Sequence, residues 1–163
     1  MKTVLIPTDF SEKSLQLIKN AVLHYPNDPI QLVLASGYNK RLNSSNPFGY
    51  SKSKLIKRLA SGIFQDTLSN LILDHKNKIY SVNIELYTGT SDRDFNDFLR
   101  LNHIDESIIP SSELCQFQNR NCVDITPLID RLAPAVSRVA YKAQKQNPPT
   151  RFWFFSLKPF SIK

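Results

Sequence analysis

The stretch that most limits what this chain can fold into begins at its fourth residue. Val4-Leu-Ile-Pro-Thr-Asp-Phe-Ser11 opens with three apolar side chains, two of them β-branched. That composition suits a strand buried on both faces, as parallel sheets in α/β domains require. Pro7 has no N–H to give to a ladder, so the strand is expected to stop there. Asp9 then stands just past the carboxyl end, and Ser11 is placed to cap the helix that follows. In an open α/β sheet, ligands bind at that rim. Asp9 can serve there as a turn and capping residue or as a ligand contact, and the stretch alone leaves both open.

The segments that follow alternate in the same way. Leu15, Ile18, Val22 and Tyr25 lie on one helical face, and Pro26-Asn27-Asp28-Pro29 stops the helix. Ile30 to Ala35 reads as a second buried strand, closed by Ser36 and Gly37. Residues 37–53 are polar and rich in turn formers, a loop long enough to cover the ligand rim. Lys54 to about Lys76 predicts one long helix, weakened slightly at Gly62. Ile79 to Tyr87 predicts a third strand, with Gly89 turning the chain after it. Ser91 is the expected N-cap of the next helix, with Asp92 and Asp94 in its first turn. Asp105 to Ser112 reads as a fourth strand. Residues 112–124 look polar and irregular. Thr126-Pro127 opens a helix in which Leu128, Ile129, Leu132 and Val136 keep helical spacing, with Pro134 kinking or breaking it. After Asn147-Pro-Pro-Thr150, the aromatic run Phe152-Trp-Phe-Phe155 is the expected fifth strand.

With 163 residues, one domain spanning 1–163 is expected. No apolar run approaches the length of a membrane span, and Asp9 and Glu12 interrupt any signal-peptide layout, so a cytoplasmic protein without membrane contact is expected. Cys115 and Cys122 match no common zinc spacing, and the three histidines are scattered, so neither a metal nor a cysteine-histidine catalytic set is expected. All of the net charge of +7 arises after residue 130, where seven Lys and Arg meet no acidic residue. Such a segment can face an anionic partner or form a solvated helix face. The aromatics 152–155 are too continuous and apolar to serve as exposed stacking platforms, so a nucleic-acid partner is not expected.

The alternation predicts an open, five-stranded, mostly parallel sheet of order 3-2-1-4-5 with helices on both faces. Three segments also carry a resemblance. Lys2-Thr-Val-Leu-Ile-Pro-Thr-Asp-Phe-Ser-Glu-Lys-Ser14 resembles the opening of the universal stress protein family, in which a strand ends in Pro-x-Asp and a Ser starts the helix. Leu32-Val-Leu-Ala35 is similar to that family's second strand. Glu85-Leu-Tyr-Thr-Gly89, a helix, and Asp105-Glu-Ser-Ile-Ile-Pro-Ser-Ser112 are similar to its third strand, third helix and fourth strand. The resemblance implies an adenine-nucleotide alpha-hydrolase-like fold. It also implies that Asp9 corresponds to the acid that contacts adenosine in nucleotide-binding members.

The chain departs from the family pattern where phosphate would sit. Nucleotide-binding members carry Gly-x2-Gly-x9-Gly-Ser/Thr after strand four, where bare backbone amides approach the phosphates. Here no glycine follows Gly89, and Glu113 would repel a phosphate. ATP bound in the usual way is therefore not expected, and no cofactor is assigned. The candidate ligand-binding residues are Pro7, Thr8 and Asp9 at the first rim, Ser36 after strand two, and Ser111, Ser112 and Arg120 after strand four. Two classes of function follow. One is a non-enzymatic stress-response or signalling protein with a degenerate nucleotide site, acting through an unknown protein partner. The other is an adenine-nucleotide or small-anion binding protein using Asp9 and the rebuilt loop. The resemblance further implies a homodimer through the last strand, placing Phe152, Trp153, Phe154 and Phe155 at the interface.

Overall fold

A computed structural model describes residues 1–40, 51–112, 114 and 117–140. Strand β1 (Lys2–Pro7) carries Val4, Leu5 and Ile6 at 0% exposure, as its apolar run requires. The chain then winds through a turn of i→i−3 bonds, Leu15 N to Glu12 O and Gln16 N to Lys13 O, before helix α1 (Gln16–His24) begins. Ser11 thus caps that preliminary turn rather than α1 itself, accepting from Ser14 N at 3.2 Å. Strand β2 (Ile30–Tyr38) pairs in parallel with β1, Val4 opposite Leu32 and Pro7 opposite Ala35.

The single helix expected over 54–76 is two. Helix α2 (Lys52–Leu59) ends where Ala60 turns extended, and α3 (Gly62–Asp74) restarts one residue after Ser61, whose hydroxyl accepts from Phe64 N at 3.2 Å. An N-cap serine can divide an apolar periodicity that is otherwise continuous. Strand β3 (Ile79–Tyr87) pairs in parallel with β2. Helix α4 (Asp92–Leu101) starts at Ser91 with a capping box completed by Asp94, and β4 (Glu106–Pro110) pairs in parallel with β1.

The expected path 3-2-1-4-5 is present, but its last member differs. A two-residue strand β5 (Cys122–Val123) pairs antiparallel with the end of β2, helix α5 (Thr126–Leu132) follows, and β6 (Val136–Val139) runs parallel beside β4. The sheet order is β3-β2-β1-β4-β6, with β5 bonded to β2 off that path. Val136, expected to continue a helix, is the first residue of β6. The helix stops at Leu132, short of Pro134, and Ala135 takes a φ of 44° that turns the chain back along the sheet. The place beside β4 expected for Phe152–Phe155 therefore belongs to Val136–Val139. The aromatic run itself lies outside the described residues.

Apolar side chains fill both faces of the sheet. Val4, Ile6, Leu32 and Ile108 pack against Leu17 and Ile18 of α1 and Phe64 of α3. On the opposite face Leu5, Val33 and Ile109 meet Phe95 and Leu99 of α4 and Ile129 of α5. The alternation of neighbours along each strand between these two sets is the period of the pleat. Among the described residues no helix is long and apolar enough to cross a membrane.

Candidate functional site

The order β2-β1-β4 makes the carboxyl end of β1 the switch point of the sheet, and the chain there is held by its own side chains. Thr8 N bonds Ala35 O at 2.8 Å, one step beyond the last paired residue. Thr8 Oγ1 lies 2.9 Å from Ser14 Oγ and accepts from Phe10 N at 3.1 Å. Asp9 Oδ1 accepts from Ser11 N at 2.9 Å, so the turn role anticipated for Asp9 is filled. Phe10 sits at φ 62°, in the left-handed region, with its ring edge-on to Phe64 at 5.7 Å. An aromatic residue held there costs about 1–3 kcal/mol of local strain, offset by the packing around it. Pro7 is buried, and Asp9 is only 3% exposed.

Beside Asp9 lies a cavity of about 210 Å³, lined by Phe10, Arg58, Leu59, Gln118, Asn119 and Cys122. Arg58 and Leu59 come from the last turn of α2. The other wall is the segment after β4, and it is not the solvated loop that its polarity suggests. Leu114 is buried in the core beside α1 and α3, with Phe117 packed against that cluster. Asn121 N donates to Asn119 Oδ1 and Cys122 N to Asn119 O, both at 2.9 Å. Asn39 N bonds Asn121 O at 2.8 Å, and the Asn121 amide donates to the Tyr38 hydroxyl at 3.3 Å. β5 then lies on Gly37 and Tyr38. β1 stops at Ala35 in the register of β2, and β3 already occupies the other side of Gly37. β5 therefore takes the edge that β1 has vacated, and the chain crosses its own switch point.

Ser36 is buried, its hydroxyl donating to Gly37 O at 3.5 Å and acting electrostatically on the Cys122 thiol. Burial pushes that thiol above its ordinary pKa, an effect the Ser36 hydroxyl partly offsets. Ser111 and Ser112 are exposed beyond β4, with Ser111 N bonded to Val139 O at 2.8 Å. Arg120 is exposed as well. Of the candidate residues Pro7, Thr8, Asp9, Ser36, Ser111, Ser112 and Arg120, Asp9 alone lines the cavity. Arg58 and Asn119 escaped the sequence reading. Arg58 sits among Lys54 and Lys57 in a helix that looks like an ordinary solvated face, and no local pattern marks it. A second cavity of about 410 Å³ opens among Tyr38, Lys40, Tyr87, Thr90, Val123 and Leu128. Cys122 and Val123 point to opposite sides of β5, so the two cavities flank that strand. Among the described residues no group of three or more His, Cys, Asp or Glu could hold a metal ion.

No protein-family model and no curated protein sequence matches this chain. Solved structures do. The structure of the hypothetical protein MJ0577 superposes with a TM-score of 0.54 at 16% identity, covering 88% of this chain and 98% of that one. A universal stress protein family member from Burkholderia pseudomallei gives 0.48 at 10% identity, covering 85% and 95%. A universal stress protein solved in complex with cAMP gives 0.49 at 14% identity, covering 86% and 98%. The likeness to MJ0577 extends over nearly the whole of both chains and establishes a shared α/β fold.

Proposed function

We propose that this chain, which has the universal stress protein-like fold, is a non-enzymatic stress-response or signalling protein with a degenerate nucleotide site. One observation carries the reading: the segment after β4 lies over the switch point and is pinned to β2 by β5. A phosphate cradle needs backbone N–H groups turned outward and no side chains in the way. Here the amides of Asn121 and Cys122 are spent on Asn119, and Leu114 anchors the segment in the core. The space left beside Asp9, about 210 Å³, falls below the roughly 300–1,000 Å³ of pockets that enclose ligands of drug size. The test is thermal melting with ATP, with and without Mg²⁺. No shift is expected. Saturating a genuine site at a thousandfold excess over Kd would add about 4 kcal/mol, so a clear upward shift overturns the reading. The alternative, a small-ligand or anion binder using Asp9, draws on Arg58 lining the same cavity.

The same reading includes a homodimer. Among the described residues β6 pairs only with β4, which leaves its outer row of backbone groups without a strand partner. Folded proteins cover or pair such an edge, and a two-fold axis would pair it with itself.

A further inference from the structure

Helix α2 carries a charge that its surroundings do not balance. From Pro29 to Gln65 the chain has six Lys or Arg and no Asp or Glu, a basic block hidden within the neutral total of residues 1–130. Four of the six, Lys52, Lys54, Lys57 and Arg58, stand on α2, and each is exposed. Lys52 pairs with Glu85. Lys54, Lys57 and Arg58 hold no acidic partner among the described residues, whereas Arg100, Arg131 and Arg138 each hold an aspartate. The helix itself does not ask for this arrangement. Lys54 repels Lys57 at i+3 and Arg58 at i+4. Lys52 and Lys54 occupy the first turn, where the helix dipole disfavours cations and where no acid stands. Only Lys57 and Arg58, in the last turn, suit the dipole.

We propose that the outer face of α2 docks the phosphate backbone of double-stranded DNA, without regard to base sequence. The exposed side chains of residues 51–59 are Ser51, Lys52, Ser53, Lys54, Lys57 and Arg58. All are hydroxyls or cations, the groups that contact phosphate oxygens. The composition of this face also narrows the partner. None of its exposed side chains is apolar, so it offers neither the desolvated core of a protein interface nor a surface that enters a bilayer. None is aromatic, so the bases of a single strand have nothing to stack on. A duplex keeps its bases stacked inside and presents closely spaced phosphates. Leu55 is buried and Leu59 packs on the core, which holds the cations on one fixed face. The expectation against a nucleic-acid partner concerned the aromatics 152–155, which take no part here. The inference goes beyond the stress or signalling role and does not depend on it.

Fluorescence anisotropy of a labelled mixed-sequence DNA duplex, titrated with the full chain across a salt series, tests it. Three or four neutralised phosphates predict that log K falls with log salt at a slope of about −3 to −4. The triple variant Lys54→Gln, Lys57→Gln, Arg58→Gln should bind about tenfold more weakly or worse and lose about 2 to 3 units of that slope. The triple variant Lys142→Gln, Lys145→Gln, Arg151→Gln removes as many charges from the basic segment after residue 130 and should keep most of the affinity. Equal losses in the two variants would reduce the effect to net charge and overturn the proposal. A single strand that binds more tightly than the duplex would overturn it too. So would polyglutamate or phosphatidylserine vesicles that bind more tightly and lose that binding in the α2 variant. Absence of duplex binding at low salt up to about 100 µM, the weak end of non-specific affinities, also overturns it. Should the α2 triple variant fail to fold, Lys54→Gln alone decides, with an expected loss of about one unit of slope.

Discussion

Gly37 carries no Cβ, and the site depends on that. A methyl group there would come 2.8 Å from Val123 O and 2.9 Å from Ile125 Cγ2, so β5 lies against β2 only because residue 37 is bare. Gly37→Ala should cost about 1–3 kcal/mol, the usual scale of forced overpacking, read as a lower urea midpoint at unchanged m-value. Cys122, the first residue of β5, reports the displacement. Burial holds its folded thiol pKa above the unfolded value, so its contribution to stability is complete below the ordinary thiol pKa and fades as pH rises through the raised one. Thiolate is the reactive form, so alkylation of Cys122 in a Cys115→Ser background should be slow at neutral pH. It should accelerate in Gly37→Ala. An unchanged rate would mean that the methyl group is absorbed without moving β5.

The start of α4 was the helix boundary best marked in the sequence, because capping is local chemistry. The Ser91 hydroxyl accepts from Asp94 N at 3.2 Å, while Asp94 Oδ2 accepts from Thr90 N at 2.9 Å and Ser91 N at 3.0 Å. Ser91→Ala should cost about 1 kcal/mol in a denaturant titration. The bonds from Thr90 N, the Ser91 hydroxyl and Ser91 N hold the Asp94 carboxyl below its ordinary pKa. That stabilisation is therefore present above the ordinary carboxylate pKa and disappears as pH falls through the lowered one. Asp94→Asn should accordingly flatten part of the acid limb of the stability profile, and an identical limb would remove the capping box as its source. Helix ends were less legible. Ser61 divides an apolar pattern that reads continuously from Leu55 to Ile72, and Val136 keeps the spacing of α5 after the helix has stopped at Leu132.

For the whole molecule, the proposed dimer turns on the outer edge of β6. Ser107 N bonds Ala135 O and Ser111 N bonds Val139 O, so the backbone groups of odd-numbered residues in β6 face β4 and those of Val136 and Arg138 face outward. Arg138→Pro removes one outward donor and leaves the ladder to β4 intact. It also removes an exposed ion pair to Asp130, which carries little stability. Light scattering should give twice 18.7 kDa for the wild type and the single-chain mass for Arg138→Pro, with nearly the same melting temperature. A wild-type protein of single-chain mass at tens of micromolar would rule out the dimer.

What the sequence determined by itself was local or periodic: the buried run Val4–Ile6, its stop at Pro7, the Ser91 cap, and the alternation that yields a parallel sheet centred on β1. Each follows from a backbone rule acting over a few residues. Only the tertiary structure decided which segment lies beside β4, that residues 117–123 cross the switch point, and that Arg58 shares a cavity with Asp9. Those outcomes join residues far apart in the chain. They rest on an edge that β1 leaves vacant beside Gly37 and on a core position that admits Leu114, and neither leaves a periodicity to read.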